Sequence, residues 1–241
     1  MQALRIAATG MAAQELNVEV ISHNIANMRT TGFKKHRVEF QDLLYQDLRR
    51  VGTATSDAGT MVPTGLQVGM GVMTAATSRN MSQGSVTMTE KELDVAIRGE
   101  GFFQIQLPDG RTAYTRDGSF EIDANGQLVT VDGYTVSPGI VVPQDARSVT
   151  INRTGAVQVQ VGTAVAPTDL GQIDLARFVN KAGLEAVGEN LYLETAASGA
   201  AQNGAPGDAG YGSVLQGYLE DANVNSVAEI SDLIAAQRAY E

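Results

Sequence analysis

Apolar side chains recur three and four residues apart at both ends of this chain, and that spacing limits what the chain can become. From residue 4 to 28 the series runs Leu4, Ala7, Met11, Val18, Ile21, Ile25 and Met28, with Gln14 as its one polar interruption. This is the heptad seam of a helix that packs on other helices. The flank beside it is small or polar at Ala3, Gly10, Asn17 and Asn24, so neighbouring helices can approach closely there. A helix of about 25 residues extends about 37 Å. Thr30-Thr31-Gly32 ends it, with Gly32 suited to the left-handed position past a helix terminus. At the far end Val227, Ile230, Ile234 and Gln237 keep the same spacing, and Leu233 and Tyr240 form a second stripe. Ser226 caps this helix and Glu229 completes a capping box. Neither Gly nor Pro stops the pattern before Glu241, so the helix is expected to continue beyond it. A narrow seam needs a partner, because helix nucleation is unfavourable and the stripe must be covered. The ends are therefore expected to order on association.

Between the helices the texture changes. Phe103, Ile105 and Leu107 alternate with polar residues up to the turn Pro108-Asp109-Gly110, and Val157, Val159 and Val161 alternate with Gln. Turn signals recur at Asp117-Gly118, Asn125-Gly126, Asp132-Gly133 and Pro138-Gly139. Residues 51–73, rich in Gly, Thr and Ser, read as an extended loop or long hairpin, and residues 196–213, with hardly a bulky side chain, as a linker. The expected fold class is α+β: N- and C-terminal helices form a coiled-coil-like bundle and bracket a mainly antiparallel β domain. The expected parts are an N-terminal helix at 1–32, a connecting segment with a long extended loop at 33–75, a β domain with linkers at 76–221 and a C-terminal helix at 222–241.

Charge narrows the partners. Against 17 Lys and Arg stand 27 Asp and Glu, a net charge of -10 that repels nucleic-acid phosphates and anionic membranes. Residues 1–50 are mildly basic, with seven bases against five acids, and the remainder is acidic. No apolar run approaches the roughly 18 residues that span a bilayer, so the chain is not expected to be membrane-inserted. The apolar start from Ile6 to Ala13 is short, Ala-rich and followed by Gln14-Glu15, unlike a cleaved signal peptide.

Candidate chemical sites dissolve on inspection. Glu121 to Asp132 imitates an EF-hand calcium loop, yet its flanks, Ser119-Phe120 and Val129-Thr130-Val131, read as strands and make Asn125-Gly126 a hairpin turn. Gly69-Met70-Gly71 and Gly99-Glu100-Gly101 lack the strand-to-helix context and lysine of a phosphate loop, and read as turns or bulges. His23 and His36, the only histidines, have no carboxylate or cysteine cluster to share a metal with, and Ser22 points away from His23. No catalytic, cofactor-binding or metal residue is nominated, and no enzyme activity is expected. The basic stretch Lys34-Lys35-His36-Arg37 reads either as a solvated face or as a surface meeting the acidic body of an adjacent copy. The two helices, likewise, either bundle with those of other copies or pair only with each other. A calcium- or carbohydrate-binding β module is the alternative from another class; it leaves the terminal heptads unexplained.

Four stretches together resemble bacterial flagellar rod and hook proteins. They are Asn24-Ile25-Ala26-Asn27-Met28-Arg29-Thr30-Thr31-Gly32-Phe33-Lys34, Asp94-Val95-Ala96-Ile97-Arg98-Gly99-Glu100-Gly101-Phe102-Phe103, Tyr114-Thr115-Arg116-Asp117-Gly118-Ser119-Phe120 and Ala236-Gln237-Arg238-Ala239-Tyr240-Glu241. Within the family, Glu39 to Tyr45, the long segment with Pro63 to Gly69, and Gly188-Glu189-Asn190-Leu191-Tyr192 look most like distal-rod members, with proximal-rod or hook-type proteins as the alternative. The resemblance implies export by the flagellar type III apparatus without signal cleavage and a place in the basal body, spanning the periplasm. It further implies a homo-oligomer in a helical tube that transmits torque. The implied partners are proximal rod proteins, the hook protein and the P- and L-ring proteins; no cofactor is implied. The implied assembly interface comprises Leu4, Met11, Val18, Ile21, Ile25, Met28, Val227, Ile230, Ile234 and Tyr240. By match to the motif, Asn24, Ala26, Asn27, Thr30, Gly32 and Phe33 shape the junction after the first helix. Gly32→Val should block assembly by placing a β-branched residue at positive φ; polymerisation at the wild-type rate, followed by sedimentation, would defeat the proposed junction.

Overall fold

The computed structural model describes residues 2–49, 64–162 and 166–240. Two helices, α1 (Gln2–Ala26) and α2 (Ser226–Tyr240), bracket a chain of short strands whose pairings are all antiparallel. The α+β class expected from the alternating patterns is what the chain adopts. Contacts separate it into two compact units: Met1–Ile25 with His36–Arg79 and Ser226–Glu241, and Ala26–Lys35 with Asn80–Asn225.

The second unit holds the core. Its largest sheet has Phe102–Gln106 near the centre, flanked by Thr112–Thr115 on one side and by Leu175–Arg177 and Thr135–Val136 on the other. Successive side chains of a strand point to opposite faces. Phe103 and Ile105 accordingly enter a cluster with Val95, Ile97, Phe120, Leu128, Val157 and Val159, whereas Phe102 enters a second with Tyr114, Phe178 and Tyr192. Edge-to-face ring pairs, Phe103 with Phe120 at 5.1 Å and Tyr114 with Phe178 at 4.7 Å, add a directional component to burial. The alternation at Val157 and Val159 is borne out: both are buried in Ala156–Val161, the middle strand of a three-stranded sheet.

The calcium-loop mimic is a hairpin turn between strands Phe120–Ile122 and Leu128–Thr130. Asp123 Oδ1 accepts from the backbone N–H groups of Asn125 and Gln127 at 2.9 and 2.7 Å, and Gly126 takes φ +84°. The linker expected at 196–213 is corrected. Gln202–Gly204 pairs with Leu175–Arg177 as part of the main sheet, Ser198 is buried, and a Cβ on Gly204 would lie 2.6 Å from the Tyr211 ring. Gly204 is small for close packing, whereas Gly199 and Gly207 have open space where a side chain would be.

In the first unit, His36–Asp42 pairs with Val72–Arg79, and Tyr45–Arg49 with Leu66–Gly69, a two-stranded ribbon of the long-hairpin kind. The part of the expected loop at 51–63 lies outside the described residues. Helix α1 closes at Ala26, earlier than the apolar spacing through Met28 implied, and two turns carry the chain on: Thr30 N–H donates to Asn27 O and Phe33 N–H to Thr30 O. Gly32 then takes φ +68°.

Candidate assembly interface

Helix α1 shows why its seam is ambiguous on paper. Ala13, Ile21 and Asn24 are buried, and Gly10, Asn17 and Val18 are half-buried, so the small and polar flank from Gly10 onward turns inward together with Ile21, while Ala3 is exposed. The outer end of the seam stays in solvent: Leu4 is 71 % exposed, and Met11 and Met28 are exposed too. Ile25 is half-buried and Ala26 exposed. On α2 only Glu229 and Ala236 are buried; Val227 is 74 % exposed, and Ile230, Ile234 and Tyr240 are exposed. The ribbon adds Phe40, Leu44, Tyr45, Leu48 and Leu66 to the exposed apolar side chains.

Asn24 organises the first unit's junction. Its Oδ1 accepts from the His36 N–H at 2.8 Å, and its Nδ2 donates to His36 O at 2.9 Å and to Glu229 Oε2 at 3.2 Å. One side-chain amide thus joins α1, the first ribbon strand and α2 through fully directed bonds. The His36 ring sits 5.2 Å from that of His23. Burial, the Arg79 guanidinium and His23 together hold the His36 imidazole down at about 4.

The second unit repeats the device with charges. Gly32 N–H donates to Glu220 O at 2.7 Å, and a Cβ on Gly32 would stand 2.8 Å from Asp117 N, so glycine is required there both by its φ and by space. Thr30 Oγ1 donates to Asn27 Oδ1 at 3.2 Å, and Phe33 is half-buried. Lys34 is not solvated, and is not a surface residue for an adjacent copy: it is 1 % exposed, with Nζ 2.5 Å from Glu220 Oε1 and 2.8 Å from Ser82 O. Glu220 Oε2 accepts from Arg116 Nη1 at 3.2 Å, Oε1 from Gly84 N–H at 2.9 Å, and Arg116 Nη2 donates to Gly99 O at 2.8 Å. Two buried cations share one carboxylate. Burial pushes the Lys34 ammonium and the Arg116 guanidinium below their ordinary values even though Glu220 pulls both up. Asn223 completes the tie, accepting from Lys35 N–H and donating to the carbonyls of Asn80 and Ser82.

Sequence reasoning therefore found Asn24 and Gly32 but missed Glu220, Arg116, Asn223 and the buried role of Lys34. Partners 186 and 104 residues apart leave no local pattern, and a lone Glu after Tyr218-Leu219 carries no signal of its own. Among the described residues no cluster of His, Cys, Asp or Glu suits a metal, and no helix is long and apolar enough to cross a membrane. What the described residues of the first unit present is an exposed apolar surface.

Comparison with known proteins bears on that surface. Residues 4–34 match the family described as flagella basal body rod protein, residues 96–159 the flagellar hook protein FlgE/F/G D1 domain, and residues 215–241 the flagellar basal body rod FlgEFG protein C-terminal region. The chain is 57 % identical over its whole length to flagellar basal-body rod protein FlgG of Caulobacter vibrioides, covering 92 % of that protein. It is 50 % identical to FlgG of Borreliella burgdorferi across all of this chain and 91 % of that protein, and 38 % identical to FlgG of Bacillus subtilis across 97 % and 89 %. Flagellar hook protein FlgE of Helicobacter mustelae is 43 % identical over 53 % of this chain but only 28 % of the hook protein.

Two results should follow from the junctions. Glu220→Ala, which strands two buried cations, should cost about 3–5 kcal/mol in denaturant unfolding of the second unit, and a loss under 1 kcal/mol would contradict the role given to it. His36, with its folded value near 4 and an unfolded value near 6.5, favours the neutral ring in the folded state. Its stabilisation is complete above about pH 6.5 and is lost as pH falls toward 4. Thermal melting of the first unit's helices should decline through that window, and the decline should flatten in His36→Gln.

Proposed function

The chain belongs to the flagellar basal-body rod protein family, and from that premise we propose that its first unit is the part that polymerises, with other copies supplying the cover its apolar surface lacks. The protein is a structural subunit of the rod in the flagellar basal body, and its place there is the distal rod. Rod relatives align with it along essentially their whole length, whereas the hook protein aligns along about a quarter, which favours rod over hook.

The observation that carries the polymerisation reading is the contrast in burial. Among described residues, the buried apolar side chains of the first unit are Ala13, Ile21, Val38 and Ala236, while Leu4, Met11, Phe40, Leu44, Val227, Ile230 and Ile234 remain exposed. A two-stranded ribbon is marginal in water without a face to pack on. Covering each larger side chain is worth about 1.5–3 kcal/mol as an upper figure, so a handful suffices to hold neighbouring subunits together. The heptad positions on both helices favour bundling with the helices of other copies over a private hairpin, because burial inside the chain leaves the outer seam uncovered. In this reading the second unit is the pre-folded body, and tying chain segments from both ends of the sequence into it resists the shear that torque imposes. The proximal rod, the hook and the surrounding P and L rings are the partners proposed for it. The role is structural, and no catalytic step is assigned to any residue.

The test is made in cells whose only copy carries Val227→Asp with Ile230→Asp. Electron microscopy of their basal bodies should show shafts that stop before the distal rod, while the purified variant keeps the β-sheet circular dichroism of the wild type. Full-length shafts built from that variant would sink the proposal.

A further inference from the structure

All eight methionines of the chain precede Glu90, and none follows Met88. Of those whose surroundings are described, Met11, Met28, Met70, Met73 and Met88 are exposed. Three of them belong to the first unit: Met11 on the outer seam of α1 beside Leu4, Met73 in the ribbon strand Val72–Arg79, and Met70 in the turn before that strand. Met70 is joined to α1 directly, since Gln2 Nε2 donates to its sulfur at 3.1 Å and to Gln46 Oε1 at 2.9 Å. Thr9 Oγ1 accepts from the Val72 N–H at 3.4 Å, a second tie between the helix and the ribbon strand that carries Met73.

A monomer that stayed in solution would gain nothing from methionine at such positions. The unbranched thioether is the apolar side chain that best adapts to an irregular partner, because three rotatable bonds let it fill whatever gap a neighbour leaves. We propose that Met11, Met70 and Met73 are contact residues for the next copy of this chain, and that they make the free subunit oxidation-sensitive: converting them to sulfoxides blocks its entry into the rod. The inference rests on the polymerisation reading above and adds a chemistry to it. A peroxide supplies the oxygen; a sulfur lone pair attacks it, the S–O bond forms as the O–O bond breaks, and water leaves. Sulfur is oxidised by two electrons and the peroxide reduced by two. The product is polar where the partner needs an apolar contact, and it is reversible by reduction. Assembled subunits are shielded because the neighbour covers the sulfurs, so the sensitivity is confined to subunits awaiting assembly.

The experiment has two arms. In the first, purified chain is treated with hydrogen peroxide and added to basal bodies arrested before the distal rod, and incorporation is read by pelleting. Untreated chain should incorporate, oxidised chain should not, and oxidised chain whose sulfoxides have been reduced again by methionine sulfoxide reductases should incorporate like the untreated chain. Equal incorporation of oxidised and untreated wild type overturns the inference. Untreated chain that fails to add counts against the polymerisation reading instead, and the second arm then decides. There, intact basal bodies and free chain receive the same peroxide dose, and sulfoxide at each methionine is measured by mass spectrometry. Met11, Met70 and Met73 should oxidise markedly more slowly in the assembled rod; equal rates in rod and free chain would overturn their placement at the contact.

Discussion

Glu220 is the residue around which this chain is tied. Its backbone carbonyl receives the N–H of Gly32, and its carboxylate receives Lys34, Arg116 and the N–H of Gly84. Charges so fully buried are tolerable only when paired and hydrogen-bonded, and the carbonyls of Ser82 and Gly99 take up the donors that one carboxylate cannot satisfy. Such a cluster has little net energetic advantage over an apolar core of the same volume. Its value is specificity: segments distant in sequence must meet for both cations to be paired, even though the buried Arg116 Nε finds no acceptor.

The same logic recurs on the polar side. Chain passes between the two units at 25/26, 35/36, 79/80 and 225/226. Within the second unit Asn223 holds Lys35, Asn80 and Ser82; within the first, Asn24 holds His36 and Glu229, and His36 pairs with Arg79 across the ribbon. Each unit therefore gathers the chain at its crossings with amides and carboxylates, whose bonds are directional, and leaves apolar burial to do its work elsewhere. For a subunit of a shaft this division matters. The β body buries its core within the chain, while the apolar surface of the first unit is left exposed, which is what the proposed polymerisation would use.

Much of this was legible in advance, and for a physical reason: periodicity is a local property. The alternation at Phe103, Ile105, Val157 and Val159, the hairpin at Asn125-Gly126, the two terminal helices and the left-handed Gly32 each depend on residues within a few positions of one another. The errors came where composition stood in for contact. Residues 196–213 read as a linker because they are small, yet Gln202–Gly204 pairs into the main sheet and Gly204 lies against the Tyr211 ring. Lys34 looked solvated because it sits in a basic run, yet it is one of the most buried large side chains in the protein.

By itself the sequence determined the two terminal helices, the alternating strands around Phe103 and Val157, the Asn125-Gly126 turn and the family resemblance, since each rests on spacing or on short motifs that local sterics and hydrogen bonding impose. Only the tertiary structure decided which stripe of α1 turns inward, that Asn24 rather than a wider apolar seam joins the helices, and that Lys34 and Arg116 meet at Glu220. Those choices depend on pairs of residues roughly a hundred to two hundred positions apart, brought together by the fold, and no local preference of the chain encodes them.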